Sequence, residues 1–391
     1  GIFRSSKMKK SLYMTTALAA ASVLALGATD AMAAEKAKKM QVKVSGSFKS
    51  LVGFAKQSSS FESTASSTAR TGYDSFNVVN DSEVHFKGTT KLDNGIAVSV
   101  VLQLETDSTE SNTQNGTNGN TVDESYIKMT GGFGDVRIGS TKSAGFVLKH
   151  AAPLGGAIPV ETPDTNNWIV RPAAVNPSSL NNGAVGTSIG GNDDVKIVYI
   201  TPKFSGFRAG ASYVPSSADA DGMPETGGTA GTDTQQFDAM VQYENKMGSV
   251  DVKADFGYWE THGNASSSQK AWRTGGTLGF GAITIGASYK DVDNLDSLLT
   301  NQAHTAFGIG AQYRSGPFAV GIKYFNVTSP QAAAVQGDDE VTKMAVGGSY
   351  NMGPGVDLVG TIVHVDWDEE TTADANNNDG WAAIGGIKVS F

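Results

Sequence analysis

The order of the connections constrains this chain most. From about Val42 to Phe391 it reads as sixteen segments of alternating apolar and polar residues, the pattern of half-buried strands. The first is VKVSGSFKSLVGFA, with Val42, Val44, Phe48, Val52 and Phe54 on one face. The last is GWAAIGGIKVSF, with Trp381, Ala383, Gly385, Ile387, Val389 and Phe391 on one face. Seven connections are short, among them Asp93-Asn94-Gly95, GGFG, TPKFSG and NMGPG; the first is a strong hairpin signal. Eight are long and polar, at roughly 57–74, 106–121, 141–191, 215–233, 261–270, 290–303, 328–340 and 368–380. Short and long alternate strictly, so all short turns fall at one end of the sheet and all long loops at the other. A soluble sandwich has no reason to sort its connections this way. A transmembrane barrel does, with short periplasmic turns and long outer loops. The expected fold is all-β: a 16-stranded antiparallel transmembrane β-barrel. Its last strand closes on its first, because hydrocarbon tolerates no unpaired sheet edge.

Composition agrees. Mean hydropathy is −0.21, and no stretch after residue 33 holds 18 consecutive apolar residues. That excludes a helical membrane protein but not a barrel, whose apolar residues are diluted by alternation. Residues 1–7 read as upstream sequence. Residues 8–33, MKKSLYMTTALAAASVLALGATDAMA, have a basic start at Lys9 and Lys10, a modest apolar stretch and a small-x-small site at Ala31-Met32-Ala33. That is a secretory signal peptide, leaving 34–391 as the exported barrel. Four basic residues and one acidic residue precede Ala34, so the charge moves from −9 to −12. A chain this acidic is a poor nucleic-acid binder. It has no cysteine, hence neither disulfides nor thiolate metal ligands.

Strand parity sorts the faces. Tyr199, Phe207, Tyr213, Tyr243, Phe280, Phe318, Tyr350 and Phe391 are read as an aromatic girdle beside the short turns. With Val84 and Phe86 toward lipid, Glu83, His85 and Lys87 face the lumen. With Val136 and Ile138 outward, Asp135 and Arg137 point in. Tyr126 outward puts Asp123 and Ser125 inward. The same parity sends Lys196, Arg208, Lys253, Asp255, Arg273, Lys323 and Lys343 inward. A charge on the lipid face would cost roughly 2–4 kcal/mol near the midplane.

The ordered segments SEVHFKGTTKLDNGIAVSVVLQLE, ESYIKMTGGFGDVRIGS and VKIVYITPKFSGFRAGASYVP, with the terminal aromatic Phe391, resemble the general porins of the Gram-negative outer membrane. The resemblance covers essentially the whole exported chain. It implies a homotrimer of barrels, each with its own water-filled pore, in contact with outer-membrane lipid and lipopolysaccharide. It also implies a third loop that folds inward to narrow the pore, and a C-terminal aromatic read by the outer-membrane assembly machinery. The longest connection, 141–191, matches that loop, and Glu161 and Asp164 are its candidate acidic residues. The candidate pore wall is Glu83, Lys87, Asp123, Arg137, Lys196 and Arg273. Glu83, Asp123 and Ser140 stand where the family usually carries arginines, so the eyelet is expected to be more acidic than usual and to prefer cations.

Enzymatic readings are weak. GTSIG around Ser188 lacks the strand-then-helix context of a nucleophile elbow. DANNNDG at 374–380 lacks the glycine and glutamate of a calcium loop, and the histidines have no metal spacing. Neither a cofactor nor a metal is expected. The leading function is passive diffusion of small hydrophilic solutes and ions. A solute-specific channel, for sugars or dicarboxylates, is the alternative within transport; an adhesin or receptor barrel is a different class.

Overall fold

The computed structural model describes residues 39–62, 72–106, 122–175, 186–191, 193–217, 234–263, 268–294, 303–330, 337–370, 373–374 and 376–391. The expected signal peptide, 8–33, lies outside them. Within them are sixteen strands. The first eight are β1 (Gln41–Gln57), β2 (Phe76–Lys91), β3 (Ala97–Glu105), β4 (Val122–Gly131), β5 (Gly134–Ser140), β6 (Val195–Ile200), β7 (Phe207–Val214) and β8 (Thr234–Met247). The rest are β9 (Val250–Gly263), β10 (Gln269–Phe280), β11 (Ile283–Asn294), β12 (His304–Ser315), β13 (Phe318–Pro330), β14 (Asp338–Gly353), β15 (Val356–Asp368) and β16 (Asn378–Ser390). Each strand pairs antiparallel with its chain neighbour, and β1 pairs with β16, so the sheet closes into a barrel. At the seam Val52 faces Gly385. Below it the Phe391 N–H donates to the Gly46 carbonyl at 3.1 Å, and the Gly46 N–H donates back at 2.9 Å.

Alternation decides the outer face. Phe48, Val52 and Phe54 of β1 and Trp381 and Ile387 of β16 are exposed outward, as a membrane-facing surface requires. The Phe207 and Tyr243 rings pack in a tilted arrangement with centroids 4.6 Å apart, as do Phe318 and Tyr350 at 4.7 Å; both pairs sit beside short turns. Tyr213 departs from the expected girdle. It lies near the far end of β7, opposite Ile197 and Phe237, toward the long loops.

Strand length divides the barrel into a high and a low wall. β5, β6 and β7 have 7, 6 and 8 residues, whereas β1, β2 and β14 have 17, 16 and 16. Crossing the hydrocarbon takes about 9–11 tilted residues. Two short helices, α1 (Ser59–Glu62) and α2 (Ala144–Val147), lie in the loops.

The inner face is not uniformly polar. Phe325 and Val327 of β13, Val341 of β14, and Val363, Val365 and Trp367 of β15 point inward and are buried with Ile158, Val160, Trp168 and Ile169 from the loop between β5 and β6. Each such side chain stabilises by about 1.5–3 kcal/mol when fully buried. This apolar contact holds the loop inside the barrel.

Candidate functional site

The third loop starts at Thr141 and follows the inner wall. Ser143 caps α2, its hydroxyl accepting from the Phe146 N–H at 3.2 Å. The free N–H groups of that first turn go to the wall: Ala144 N–H donates to Ser212 Oγ and Gly145 N–H to Asp238 Oδ1, each at 2.6 Å. Gln242 then donates to the Leu148 carbonyl at 2.9 Å, Lys323 to that of Ala152 at 2.8 Å, and Thr361 Oγ1 accepts from the Ala157 N–H at 2.7 Å. Further on Lys343 donates to Thr165 Oγ1 at 2.8 Å, and Asn77 to the Asn167 carbonyl at 2.9 Å. Asn378 closes the run on the Val170 carbonyl at 2.7 Å. The loop therefore covers the wall from β6 round to the upper half of β1 and the start of β2 at Asn77.

Glycines make room for it. A Cβ on Gly275 would lie 2.2 Å from the His150 carbonyl, on Gly347 1.9 Å from that of Gly155, and on Gly53 2.4 Å from the Trp168 ring. The loop's backbone at Gly275 and Gly347, and the Trp168 ring at Gly53, have to approach the wall's backbone closely, and only glycine allows it.

The loop also covers most of the basic wall. Lys196, Arg273, Lys290, Lys323 and Lys343 are 1, 0, 2, 7 and 5% exposed. Arg273 is a three-way clamp. It pairs with Asp255, and donates from Nε to the Thr187 carbonyl at 2.5 Å and from Nη2 to that of His150 at 2.7 Å. It thus joins both limbs of the loop to β9 and β10. Lys196 donates to the Thr141 carbonyl. Glu161 reaches Lys323 at 2.7 Å. Asp164, in the 3-10 turn Pro163–Asn167, has Lys49, Asp81 and Lys343 as charged neighbours, and burial raises its pKa.

The wall left free is β3–β5 with the lower parts of β1 and β2. Its acidic residues converge: Glu83, Glu105 and Asp123 offer carboxylate oxygens all within 4.8 Å of one another. His85 Nε2 lies 2.6 Å from Glu83 Oε2. Asp193, just before β6, is pushed up to about 6 by burial and by nearby Asp123. On the loop, Lys149 donates to Ser188 Oγ at 2.5 Å and is pushed down to about 8 by burial. Lys87 is exposed on this wall. Arg137 lies over the Tyr126 ring at 5.9 Å.

One expectation is corrected. Tyr126 points inward, opposite Val101, and Ser125 points outward, opposite Leu102. A β-bulge follows: Leu104 pairs with Val122, so Asp123 and Glu124 together oppose Gln103. A bulge breaks the two-residue repeat on which parity rests. Asp123 still reaches the lumen, for that different reason. Glu124 joins it, 3% exposed, accepting from Thr141 Oγ1 at 2.9 Å and pairing with Lys142 at 2.8 Å. Sequence reading missed Glu124, Lys142 and Lys149, and no pattern in the chain marks them.

A closed barrel with an apolar belt and a charged lumen narrowed by an inward loop is a transmembrane channel. A family model described as Gram-negative porin matches residues 15–370; the chain belongs to that family, and its place is the outer membrane. Two Halomonas proteins, a monosaccharide porin from Halomonas sp. and the major outer membrane protein of Halomonas elongata, are each 24% identical over 303 residues, covering 69% of this chain and 72% of each relative. The anion-selective porin from Comamonas acidovorans superposes with a TM-score of 0.60 at 17% identity, over 90% of this chain and 100% of that one.

Proposed function

We propose that this porin passes small hydrophilic solutes and ions by passive diffusion, with a preference for cations. The observation that carries this is the division of the lumen. The basic side chains of β6, β10, β11, β13 and β14 are buried under the third loop, while Glu83, Glu105 and Asp123 face the free passage. In a narrow low-dielectric channel a few fixed charges decide which ions are concentrated. The polarity is opposite to that in the name of the Comamonas neighbour. A sugar-specific reading is less well supported, since Tyr126 is the single inward aromatic ring on the free wall of β1–β5. The test is the reversal potential under a KCl gradient for wild type and for Glu83→Arg with Asp123→Arg. Cation preference in wild type that falls in the double variant supports the reading; an unchanged reversal potential overturns it.

We propose further that the channel is a homotrimer. The short strands β5–β7 are too low to face lipid alone, and a second copy would cover them. Residues 8–33 direct export, lipopolysaccharide and lipid surround the high wall, and the assembly machinery reads the strand that ends at Phe391. Sedimentation of detergent-extracted protein as a monomer alone would count against the trimer.

A further inference from the structure

The charges on the free wall are sorted by height as well as by sign. Counted from the short turns, Lys87 stands five residues before Leu92, Lys128 four before Gly132, and Arg137 four after Phe133. Lys43 is the register partner of Lys87. These four form a lower, basic band. Its acidic member, Asp135, is paired with Lys128 at 2.9 Å. The acids stand higher. Asp81 and Glu83 are eleven and nine residues before Leu92, Glu105 nine after Ile96, and Glu124 and Asp123 eight and nine before Gly132. The basic residues at that height are paired, Lys49 with Asp81 at 2.6 Å and Lys142 with Glu124 at 2.8 Å. The rest of the lower rim leans basic, with Lys203, Lys246 and Lys253 around Glu244 and Asp251.

The bands are about four residues apart, or roughly 13 Å along a strand. The screening length is about 10 Å at 0.1 M salt and about 3 Å at 1 M. At 0.1 M each band therefore acts on its own stretch of the pore, and the two lie in series. The upper stretch concentrates cations and the lower stretch anions.

We infer that this porin is an ionic rectifier, conducting better when the outer side is electrically positive. That polarity drives cations down through the acidic band and anions up through the basic band. Both accumulate where the bands meet, and conductance rises. The opposite polarity draws both away from the junction and depletes it. The inference extends the free-wall reading above but has its own observable: reversal potential reports net selectivity, whereas rectification reports axial order.

The test is current against voltage in planar bilayers at 0.1 M and 1 M KCl with known orientation. The chain has no cysteine, so Ser249→Cys in the β8–β9 turn, biotinylated, reports the periplasmic side through block by streptavidin added to one chamber. The expected ratio of currents at opposite voltages is roughly twofold in 0.1 M KCl, larger with the outer side positive, and near one at 1 M. Lys43→Glu with Lys87→Glu should abolish the asymmetry and strengthen cation preference; Lys87→Gln alone should reduce it. A symmetric wild-type curve at 0.1 M overturns the inference. So does an asymmetry that persists at 1 M or is unchanged in these variants. If rectification is present and the reversal potential shows no cation preference, the axial sorting stands and the selectivity reading falls.

Discussion

Two residues near the constriction make its charge depend on pH in the same direction. Asp193, pushed up to about 6, is neutral below that pH and negative above it. Lys149, pushed down to about 8, is positive below that pH and neutral above it. Raising the pH therefore adds a negative charge near 6 and removes a positive one near 8. Cation preference should increase in two steps between pH 5 and 9, read from reversal potentials. Asp193→Asn should flatten the lower step and Lys149→Met the upper; a flat profile in wild type would show that neither group faces the ion path. Arg273 matters differently. Replacing it by Ala leaves Asp255 buried without its partner, a loss of about 3–5 kcal/mol, and releases both loop limbs at once. Its channel should conduct more and fluctuate more, whereas Arg273→Lys, keeping a charge for Asp255, should fall between. Single-channel recording with a quiet wild-type-like Arg273→Ala trace would contradict the clamp.

At the level of elements, the strands were legible because sixteen alternating segments and sorted turns leave few other folds. Parity located the inward residues of β2, β5 and β6 correctly, since the two-residue repeat is unbroken there. It failed at Tyr126 because it starts from the aromatic ring as the lipid-facing residue, a place Ile127 occupies instead, and a bulge between β3 and β4 then brings Asp123 inward as well. It also identified Arg273, Lys323 and Lys343 as inward without revealing that they are covered. That depends on the path of the third loop, a tertiary matter that alternation does not encode. The inward valines of β13–β15 point the same way: apolar residues on both faces mean a wall with something packed against it. The glycines under the loop give an element-scale prediction. Gly347→Val, whose side chain would meet the Gly155 carbonyl, should push the loop off β14 and raise conductance. Gly348→Val on the outer face, where the nearest atom to a Cβ is 3.3 Å away, should leave conductance unchanged. Equal conductance in both variants would argue against the loop resting there.

For the whole molecule, function follows from how one long loop divides the lumen. It packs the high wall's inner face with apolar contacts and buries the basic residues behind it; on the proposed reading, ions then meet β3–β5 and the lower parts of β1 and β2. Accessibility of single cysteines in this cysteine-free chain measures that division directly. Glu83→Cys lies on the free wall, and Ser288→Cys lies on β11 beneath the loop, where Ser288 Oγ is 2.8 Å from Thr187 Oγ1. A cationic, membrane-impermeant thiol reagent should react quickly with Glu83→Cys, lowering both current and cation preference. Under the same conditions it should leave the current through Ser288→Cys unchanged. Reaction at Ser288→Cys as fast as at Glu83→Cys, with a matching fall in current, would mean that the conducting path runs along the sector the loop is seen to cover.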